Sequence, residues 1–259
     1  MTALSTLRVA AAQILTTADP VANLAVAVDA VRRAASQGAS LVALPEATLA
    51  AFGSDLRAVA EPLDGPFATG LRKVAEETGV VVVAGMFEPS EDGRVHNTLL
   101  ATGPGVEASY RKIHLYDAFG SRESDLVAPG KELVAFEVRG VTVGLATCYD
   151  LRFADQFTAL GRLGAELIVV PASWGAGPGK EEQWDLLTRA RASDAQAWLL
   201  ACDQAWTPPV GTDPLGIGRS VLADPLGRVS ARLGAETGLL LGTVDTELAA
   251  TTRQRVPVL

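Results

Sequence analysis

The chain has 259 residues, of which 48% are hydrophobic, so it can bury one large core, and we expect a single domain over residues 1–259. Its 22 Lys and Arg residues against 30 Asp and Glu residues give a net charge of -8, and no basic cluster could neutralise a row of phosphates, which excludes nucleic acid as a partner. Two cysteines, no signal-peptide pattern in residues 1–12 and no apolar run of about 18 residues predict a cytoplasmic protein without a membrane segment.

The N-terminal half alternates predicted strands and helices. An apolar stretch at 7–14 predicts a buried strand, and Asp19 followed by Pro20 predicts the start of a helix with apolar residues at helical spacing. The same patterns predict a strand at 39–44, a helix at 67–78, a strand at 80–87 and a strand at 95–102. Continuous apolar strands that alternate with helices are typical of an α/β fold whose sheets are covered by helices.

The C-terminal half follows a loop rich in Asp, Ser, Gly and Pro at 116–130. Arg139-Gly140, between two apolar segments, predicts a tight hairpin turn. A surface loop is predicted for the Gly- and Pro-rich stretch 207–218, and no repeat or linker divides the chain. The remaining predicted elements are strands 133–138 and 141–147, helix 153–163, strand 166–171, helix 180–195, strand 198–202 and a hairpin around 224–228.

Three strongly apolar segments are each followed by a reactive or charged residue, namely Glu46, Lys112 and Cys148. Ligand crevices form at strand ends in open α/β folds, so we expect these side chains to meet in one pocket. In such a pocket a thiol attacks a carbonyl carbon, a carboxylate accepts its proton, and a fixed ammonium stabilises the charge that develops. The three residue types therefore indicate nucleophilic catalysis.

The two cysteines differ in their sequence context. Cys148 could be a small buried hydrophobe, but the polar residues Tyr149, Asp150 and Arg152 follow it and lead into a helix. A thiol at such a strand-to-helix junction gains from backbone N–H groups and the helix dipole. Cys202 ends the apolar segment 198–202, where nothing offsets the interpretation as a small buried hydrophobe, and we interpret it as structural.

Other interpretations of these residues stay open. Glu46 could be a turn residue, and Lys112 could be one of many solvated lysines. His96 and His114 allow a Cys–His dyad of the papain type, although structural hydrogen bonding is favoured for both histidines. A non-catalytic protein in which Cys148 oxidises reversibly is the competing class.

Taken together, the three segments resemble the nitrilase superfamily of carbon–nitrogen hydrolases, in which a glutamate, a lysine and a cysteine follow successive strands in this order. The resemblance covers nearly the whole chain. The segments that carry it are Leu44-Pro45-Glu46, Tyr110-Arg111-Lys112-Ile113-His114-Leu115, Cys148-Tyr149-Asp150-Leu151-Arg152-Phe153, Asn97-Thr98, Glu123 with Pro129-Gly130, and Arg189-Ala190-Arg191-Ala192 after Trp174.

The resemblance implies a four-layer α-β-β-α sandwich, with two sheets face to face and helices outside. It implies that Glu46 is the general base and Cys148 the nucleophile. Lys112 and the backbone N–H of Tyr149 would stabilise the oxyanion. The resemblance further implies a homodimer formed through the helices that follow the nucleophile and through the C-terminal segment.

Three more residues are candidates for substrate binding. Glu123 matches the superfamily's second glutamate, which positions substrate or supports proton transfer, and Trp174 would line the pocket. Arg152 is a candidate partner for a substrate carboxylate, with a salt bridge to Asp150 or Asp155 as the alternative.

The residues after the nucleophile indicate the type of substrate. Nitrilases of this superfamily follow the cysteine with Trp-Glu, whereas Tyr-Asp with Arg-Phe resembles omega-amidases and deaminated glutathione amidases. This implies a cysteine-dependent amidase that hydrolyses a small carboxamide, such as 2-oxoglutaramate or deaminated glutathione, through a thioester and without a metal or organic cofactor. A nitrilase, or another carbon–nitrogen hydrolase acting on aliphatic amides or nitriles, is the alternative within enzymes.

Overall fold

Two six-stranded β-sheets form the centre of the molecule in a computed structural model that describes residues 6–208 and 215–259. The strands are β1 (Thr6–Gln13), β2 (Leu41–Ala43), β3 (Val81–Pro89), β4 (Val95–Gly103), β5 (Val106–Arg111), β6 (Ala135–Val138), β7 (Val141–Leu145), β8 (Leu167–Ala172), β9 (Trp198–Asp203), β10 (Val221–Ala223), β11 (Val229–Arg232) and β12 (Gly238–Asp245). The helices are α1 (Pro20–Ser36), α2 (Leu56–Val59), α3 (Pro66–Thr78), α4 (Ala154–Arg162), α5 (Lys180–Ala195) and α6 (Thr246–Arg255).

Each sheet has a parallel centre and antiparallel edges. The first sheet has the order β12-β1-β2-β3-β4-β5, in which β1, β2 and β3 are parallel and the other pairings are antiparallel. The second sheet has the order β11-β10-β9-β8-β7-β6, in which β7, β8 and β9 are parallel. The parallel strands are connected through helices, because parallel neighbours need a crossover.

Both faces of the central strands β2 and β8 are buried along their whole length, which is why their sequences are apolar without interruption. In β1, Leu7 and Val9 pack into the core between the two sheets, whereas Ala10 and Ala12 pack into the core beneath α1 and α3. A third core lies beneath α4 and α5 on the outside of the second sheet. The layers are therefore helix, sheet, sheet and helix, and the predicted α/β sandwich is confirmed.

The hairpin predicted at Arg139-Gly140 is present. Val138 at the end of β6 pairs with Val141 at the start of β7, so the two residues between them form the turn. Arg139 and Gly140 have φ angles of 50° and 81°, the left-handed conformation that a two-residue hairpin turn with both central φ angles positive requires.

Some predicted boundaries are wrong. The strand predicted at 39–44 is only the three-residue β2, and the strand predicted at 141–147 ends at Leu145. Cys148 begins a short 3-10 helix (Cys148–Arg152), and α4 starts after it at Ala154. The apolar run predicted too long a strand because Ala146 and Thr147 are buried at the turn out of the sheet.

Several elements have no clear sequence signal. The four-residue helix α2 and the polar helix α6 lack an apolar stripe, and Gly238 and Gly242 interrupt the pattern of β12. Of the loop predicted at 207–218, residues 209–214 lie outside the described residues. None of the helices in the described ranges is long and apolar enough to cross a membrane.

The ends of several strands meet at one end of the sandwich. The segment that leaves β2 crosses to the second sheet, where the backbone N–H of Glu46 donates to the carbonyl oxygen of Ala172 at the end of β8, 3.3 Å away. Lys112 follows β5 directly, and its backbone N–H donates to the carbonyl oxygen of Asn97 near the start of β4. The sheet topology therefore brings residues distant in sequence to the same edge.

Gly85 on β3 is a glycine because the backbone of Glu46 lies directly against it. A Cβ atom at Gly85 would stand 1.2 Å from the carbonyl oxygen of Glu46. We expect Gly85→Ala to displace the Glu46 segment, to lower the free energy of unfolding by about 1–3 kcal/mol, and to lower catalytic activity. Denaturant unfolding measures the stability change. Gly234→Ala is the matched control, since a Cβ there has no neighbour within 4 Å; equal stability of the two variants would contradict the expectation.

Candidate active site

A cavity of about 320 Å³ opens at the end of the sandwich where these strand ends meet. Every residue that the family resemblance assigned to the site lines this cavity: Glu46, Lys112, Glu123, Cys148, Tyr149, Arg152 and Trp174. They come from loops after different strands of both sheets, as the strand-end argument predicts.

The ammonium group of Lys112 is buried between two glutamates. Its Nζ atom lies 2.9 Å from Oε1 of Glu46 and 2.9 Å from Oε2 of Glu123. The side chains of Lys112 and Glu46 are 2% and 1% exposed. A buried ion pair of this kind stabilises the site only if its remaining hydrogen-bonding groups are satisfied, and the neighbours of Glu46 meet that requirement.

Two further donors hold Glu46 in place. The Nδ2 atom of Asn97 donates to Oε1 of Glu46 at 2.8 Å and to Oε1 of Glu123 at 3.1 Å. The backbone N–H of Ser173 donates to Oε2 of Glu46 at 2.9 Å. Asn97 thus bridges the two glutamates opposite Lys112, and the orientation of the Glu46 carboxylate is fixed from three directions.

Glu123 is held in the cluster by its own loop. It begins a short 3-10 helix (Glu123–Asp125), and its Oε2 atom accepts a hydrogen bond of 2.6 Å from the backbone N–H of Tyr116. With the bonds from Lys112 and Asn97, this makes Glu123 a fixed part of the cluster and not a solvated loop charge.

The charges in the cluster shift the pKa values of its members. Burial raises the pKa of Glu46 and the Glu123 charge adds to this, while Lys112 opposes it. Burial disfavours the charged form of Lys112, but the Glu123 and Glu46 carboxylates outweigh it and raise its pKa well above the usual range. Glu46 is therefore a stronger base than an exposed glutamate, beside an ammonium that stays charged.

Cys148 lies at a sharp turn between β7 and the 3-10 helix. Its backbone φ angle is 43°, a value that residues other than glycine rarely adopt. Backbone strain of this kind is often found at functional sites. Burial raises the pKa of its thiol well above the usual range, and the Glu46 charge raises it further, against the opposing effect of Lys112. At rest Cys148 is therefore a thiol, and a base is needed to deprotonate it.

The buried carboxylate of Asp150 fixes this turn. Its Oδ2 atom accepts hydrogen bonds from the Tyr110 hydroxyl at 2.5 Å and from the backbone N–H of Thr147 at 2.8 Å. Its Oδ1 atom accepts from the backbone N–H of His114 at 3.1 Å and lies 2.9 Å from Nδ1 of the same residue. Asp150 therefore ties the segment that carries Lys112 to the turn that carries Cys148.

Arg152 has no carboxylate partner among the described residues. Its Nη2 atom donates to Oε1 of Gln183 at 2.5 Å, and its guanidinium carbon lies 5.2 Å from the centroid of the Trp174 ring and 5.7 Å from that of Tyr149. The salt bridge to Asp150 or Asp155 that the sequence left open is absent from the described residues. Arg152 faces the cavity instead, between aromatic rings.

The histidines and Cys202 lie in structural positions. His96 Nδ1 lies 3.0 Å from the carbonyl oxygen of Ala128, and His114 contacts Asp150 and stacks on Phe153 at 3.6 Å between ring centroids. Cys202 packs between the two sheets. Across the described ranges, no group of three or more His, Cys, Asp or Glu side chains could hold a metal ion.

Sequence analysis missed four contributors to this site. Asn97 matched the family pattern but carried no evident role, because an asparagine in a strand is informative only once its partners are known. The hydroxyl of Tyr110 and the Asp150 carboxylate that it contacts are a buried pair from distant segments. Lys180, at the start of α5, resembled any first-turn lysine of a surface helix but is 9% exposed and lines the cavity.

Comparison with known proteins agrees with this geometry. Residues 8–254 match the family described as Carbon-nitrogen hydrolase. A Mycobacterium tuberculosis protein named only as a hydrolase is 50% identical, with 98% of this chain and 94% of the relative covered. A deaminated glutathione amidase from Escherichia coli O157:H7 is 36% identical (97% and 95% covered), and the omega-amidase NIT2 of Mus musculus is 31% identical (99% and 95% covered).

Solved structures show the same fold. The crystal structure of Saccharomyces cerevisiae Nit3, a member of branch 10 of the nitrilase superfamily, matches with a TM-score of 0.86, 25% identity and coverage of 98% and 96% of the two chains. A variant of the amidase from Nesterenkonia sp. matches with a TM-score of 0.80, 25% identity and coverage of 96% and 94%, and carries the acetamide moiety of fluoroacetamide covalently added to its active-site cysteine.

The chain belongs to the carbon–nitrogen hydrolase family of the nitrilase superfamily. It is a hydrolase that acts on carbon–nitrogen bonds other than peptide bonds.

Replacement of Glu46 by Gln separates its charge from its shape. The Glu46 carboxylate raises the pKa of the Cys148 thiol, so removal of its negative charge lowers that pKa, while Lys112 and its favourable charge remain. We therefore expect Glu46→Gln to make Cys148 more acidic and yet to lower kcat/KM about 10²–10⁴-fold, the loss typical of a missing general base. A pH titration of thiolate ultraviolet absorbance, with Cys148→Ala as the blank, measures the shift; an unchanged or higher pKa would contradict the assigned electrostatics.

Proposed function

We propose that this hydrolase is an amidase that cleaves a small carboxamide through a thioester on Cys148. The observation that supports it is the buried Glu46–Lys112–Glu123 cluster in the cavity that Cys148 also lines. A base of raised pKa beside a buried thiol, with a permanent ammonium next to both, is the set of groups that acyl transfer from an amide needs.

In the first half of the reaction, the Cys148 sulfur attacks the amide carbon and its proton passes to the Glu46 carboxylate. The carbonyl oxygen becomes an oxyanion, which the Lys112 ammonium and the backbone N–H of Tyr149 stabilise. The carbon–nitrogen bond then breaks, and the proton on Glu46 moves to the leaving nitrogen. Ammonia or an amine departs and an acyl thioester remains on Cys148.

In the second half, a water molecule attacks the thioester carbon. Glu46 accepts one proton from the water, the carbon–sulfur bond breaks, and the sulfur regains a proton as Cys148 is restored. The products are a carboxylic acid and the free enzyme, so one amide and one water are consumed in each turnover. Glu123, fixed by three donors, holds Lys112 and helps to position the substrate amide.

A redox role for Cys148 is disfavoured by its surroundings. Thiols that act as redox sensors have a lowered pKa and are accessible, because oxidation proceeds through the thiolate. Cys148 is 8% exposed, and burial raises its pKa. These properties suit a thiol that is deprotonated only when a substrate lies beside Glu46.

The carboxylate of a 2-oxo acid amide suits the cation that faces the cavity. Arg152 has no carboxylate partner among the described residues and is flanked by aromatic rings. A substrate carboxylate would accept charge-assisted hydrogen bonds there. Relatives named deaminated glutathione amidase and omega-amidase support the choice of 2-oxoglutaramate and deaminated glutathione as first substrates.

The decisive experiment measures formation of 2-oxoglutarate from 2-oxoglutaramate and from deaminated glutathione, since both amides share this acyl group. We expect turnover by the wild-type protein, a loss of about 10³-fold or more in Cys148→Ala, and an acyl adduct on Cys148 in the intact mass of the wild-type protein. The panel includes neutral aliphatic amides and their nitriles. Faster hydrolysis of nitriles than of amides would replace the amidase proposal by a nitrilase.

Two histidine variants serve as controls within the same assay. A histidine that acted as the base would cost about 10²–10⁴-fold on removal, whereas a structural hydrogen bond costs far less. We expect His96→Gln and His114→Gln to keep turnover within about tenfold of the wild type. Loss of turnover in either variant with Glu46→Gln still active would point to a Cys–His dyad.

We also propose that the chain forms a homodimer and works in the cytoplasm. Exposed apolar side chains that follow Cys148 in the sequence support the dimer, namely Leu163, Leu226, Val256 and Val258. Leu226, Val256 and Val258 also line a groove of about 370 Å³. Sedimentation equilibrium is expected to give twice the chain mass of 26.9 kDa. A monomer at micromolar concentration would contradict the dimer.

A further inference from the structure

Two cations in the cavity have no carboxylate partner among the described residues. The two cavity carboxylates, Glu46 and Glu123, are both bound to Lys112. Arg152 and Lys180 line the same cavity, and the ion pairs formed within 6–208 and 215–259 include neither of them. The cavity therefore has a catalytic part whose charges are paired and a second part with excess positive charge.

The protein groups around these two cations are neutral. Nζ of Lys180 donates to the hydroxyl of Tyr116 at 3.0 Å and lies 3.9 Å from the centroid of the Phe119 ring. Arg152 donates to the amide of Gln183, and its Nε atom is buried without a hydrogen-bond partner among the described residues. A Lys ammonium carries three donor hydrogens, so donors remain on both residues for a ligand.

Lys180 is too buried to be an ordinary surface lysine. It is 9% exposed, and its partners are one hydroxyl and two aromatic rings. Burial of a cation without an anion is unfavourable, and a charged group placed in a cleft is a candidate for ligand binding. A bound anion would neutralise this buried positive charge.

Phe119 contacts both cations. Its ring centroid lies 3.9 Å from Nζ of Lys180 and 5.9 Å from the guanidinium carbon of Arg152. Phe119 has a φ angle of 54° and is 67% exposed, an unusual conformation and exposure for a bulky aromatic residue. The turn that carries it places the ring within contact distance of each cation, on the same loop as Tyr116.

Tyr116 connects this part of the cavity to the catalytic cluster. Its hydroxyl accepts the hydrogen bond from Lys180, and its backbone N–H donates to Glu123 at 2.6 Å. Tyr116 therefore links the place where Lys180 would hold an anion to Glu123, the glutamate that binds Lys112. This proximity limits the ligand to a small molecule whose anionic end and amide end both fit in one cavity of about 320 Å³.

We propose that Lys180 is a specificity-determining residue that forms, with Arg152, a two-cation subsite for the carboxylate at the far end of the substrate. Lys180 then supplies much of the preference for an amide that carries a distal carboxylate over a neutral amide of the same length. This inference rests on the amidase activity proposed above. A neutral amide would leave both cations without an anion, and a site that loses such partners discriminates strongly against the analogue.

The test compares glutaramate with pentanamide, which has the same number of carbons and no carboxylate. We expect Lys180→Met to lower kcat/KM for glutaramate about 10–100-fold more than for pentanamide, chiefly through KM, because a methionine keeps the length but not the charge. Lys180→Arg is expected to keep most of the preference. Lys73→Met, at an exposed lysine of α3, is the matched control and should leave both rates unchanged.

An equal loss for the two amides in Lys180→Met, or no loss, would overturn the role of Lys180, since a structural residue affects both substrates alike. Binding of glutarate by calorimetry, to Cys148→Ala and to Cys148→Ala combined with Lys180→Met, separates this inference from the proposed function. At least tenfold weaker binding in the double variant, without hydrolysis of any amide by the wild type, would reject the amidase and retain the subsite. Equal binding of glutarate by the two variants, together with amide hydrolysis by the wild type, would reject the subsite and retain the amidase.

Discussion

The buried ammonium of Lys112, held between Glu46 and Glu123, is the interaction on which the rest of the site depends. Two carboxylates this close to each other and to a buried thiol would repel one another without the cation. Burial makes the arrangement costly, and hydrogen bonds from Asn97 and from the backbone of Ser173 offset part of that cost. The same environment sets the chemistry, because it raises the pKa of Glu46 and keeps Lys112 charged.

The position of Cys148 relative to this cluster is set by the backbone. Its positive φ angle turns the chain sharply at the end of β7, and the Asp150 carboxylate keeps that turn attached to Tyr110 and His114. The segment that contains Lys112 is thus held to the segment that contains Cys148 by groups that need no contact with substrate. Lys180 lines the same cavity and provides positive charge without a carboxylate partner among the described residues, next to a catalytic cluster whose charges are paired.

The layered fold was predictable because strands buried on both faces must be apolar throughout, as β8 is and as β9 is up to Cys202. The turn at Arg139-Gly140 was predictable because its conformation depends on local residues alone. The strand β12 was not predictable in this way, because Gly238 and Gly242 break its pattern and its stability comes from pairing with β1 at the other end of the chain. The end of β7 was misplaced, since burial continues past Leu145 while the strand does not.

By itself, the sequence determined which three residue types meet in the cavity: a glutamate, a lysine and a cysteine that each follow an apolar segment, in the order that the superfamily shares. Only the tertiary structure decided which groups surround them. Asn97 became a bridge between two glutamates, Cys148 became a thiol of raised pKa, and Lys180 became a buried cation without an anionic partner among the described residues. The physical reason is that hydrogen bonds and desolvation depend on distances across the two sheets, and these distances are set by strand register and sheet packing.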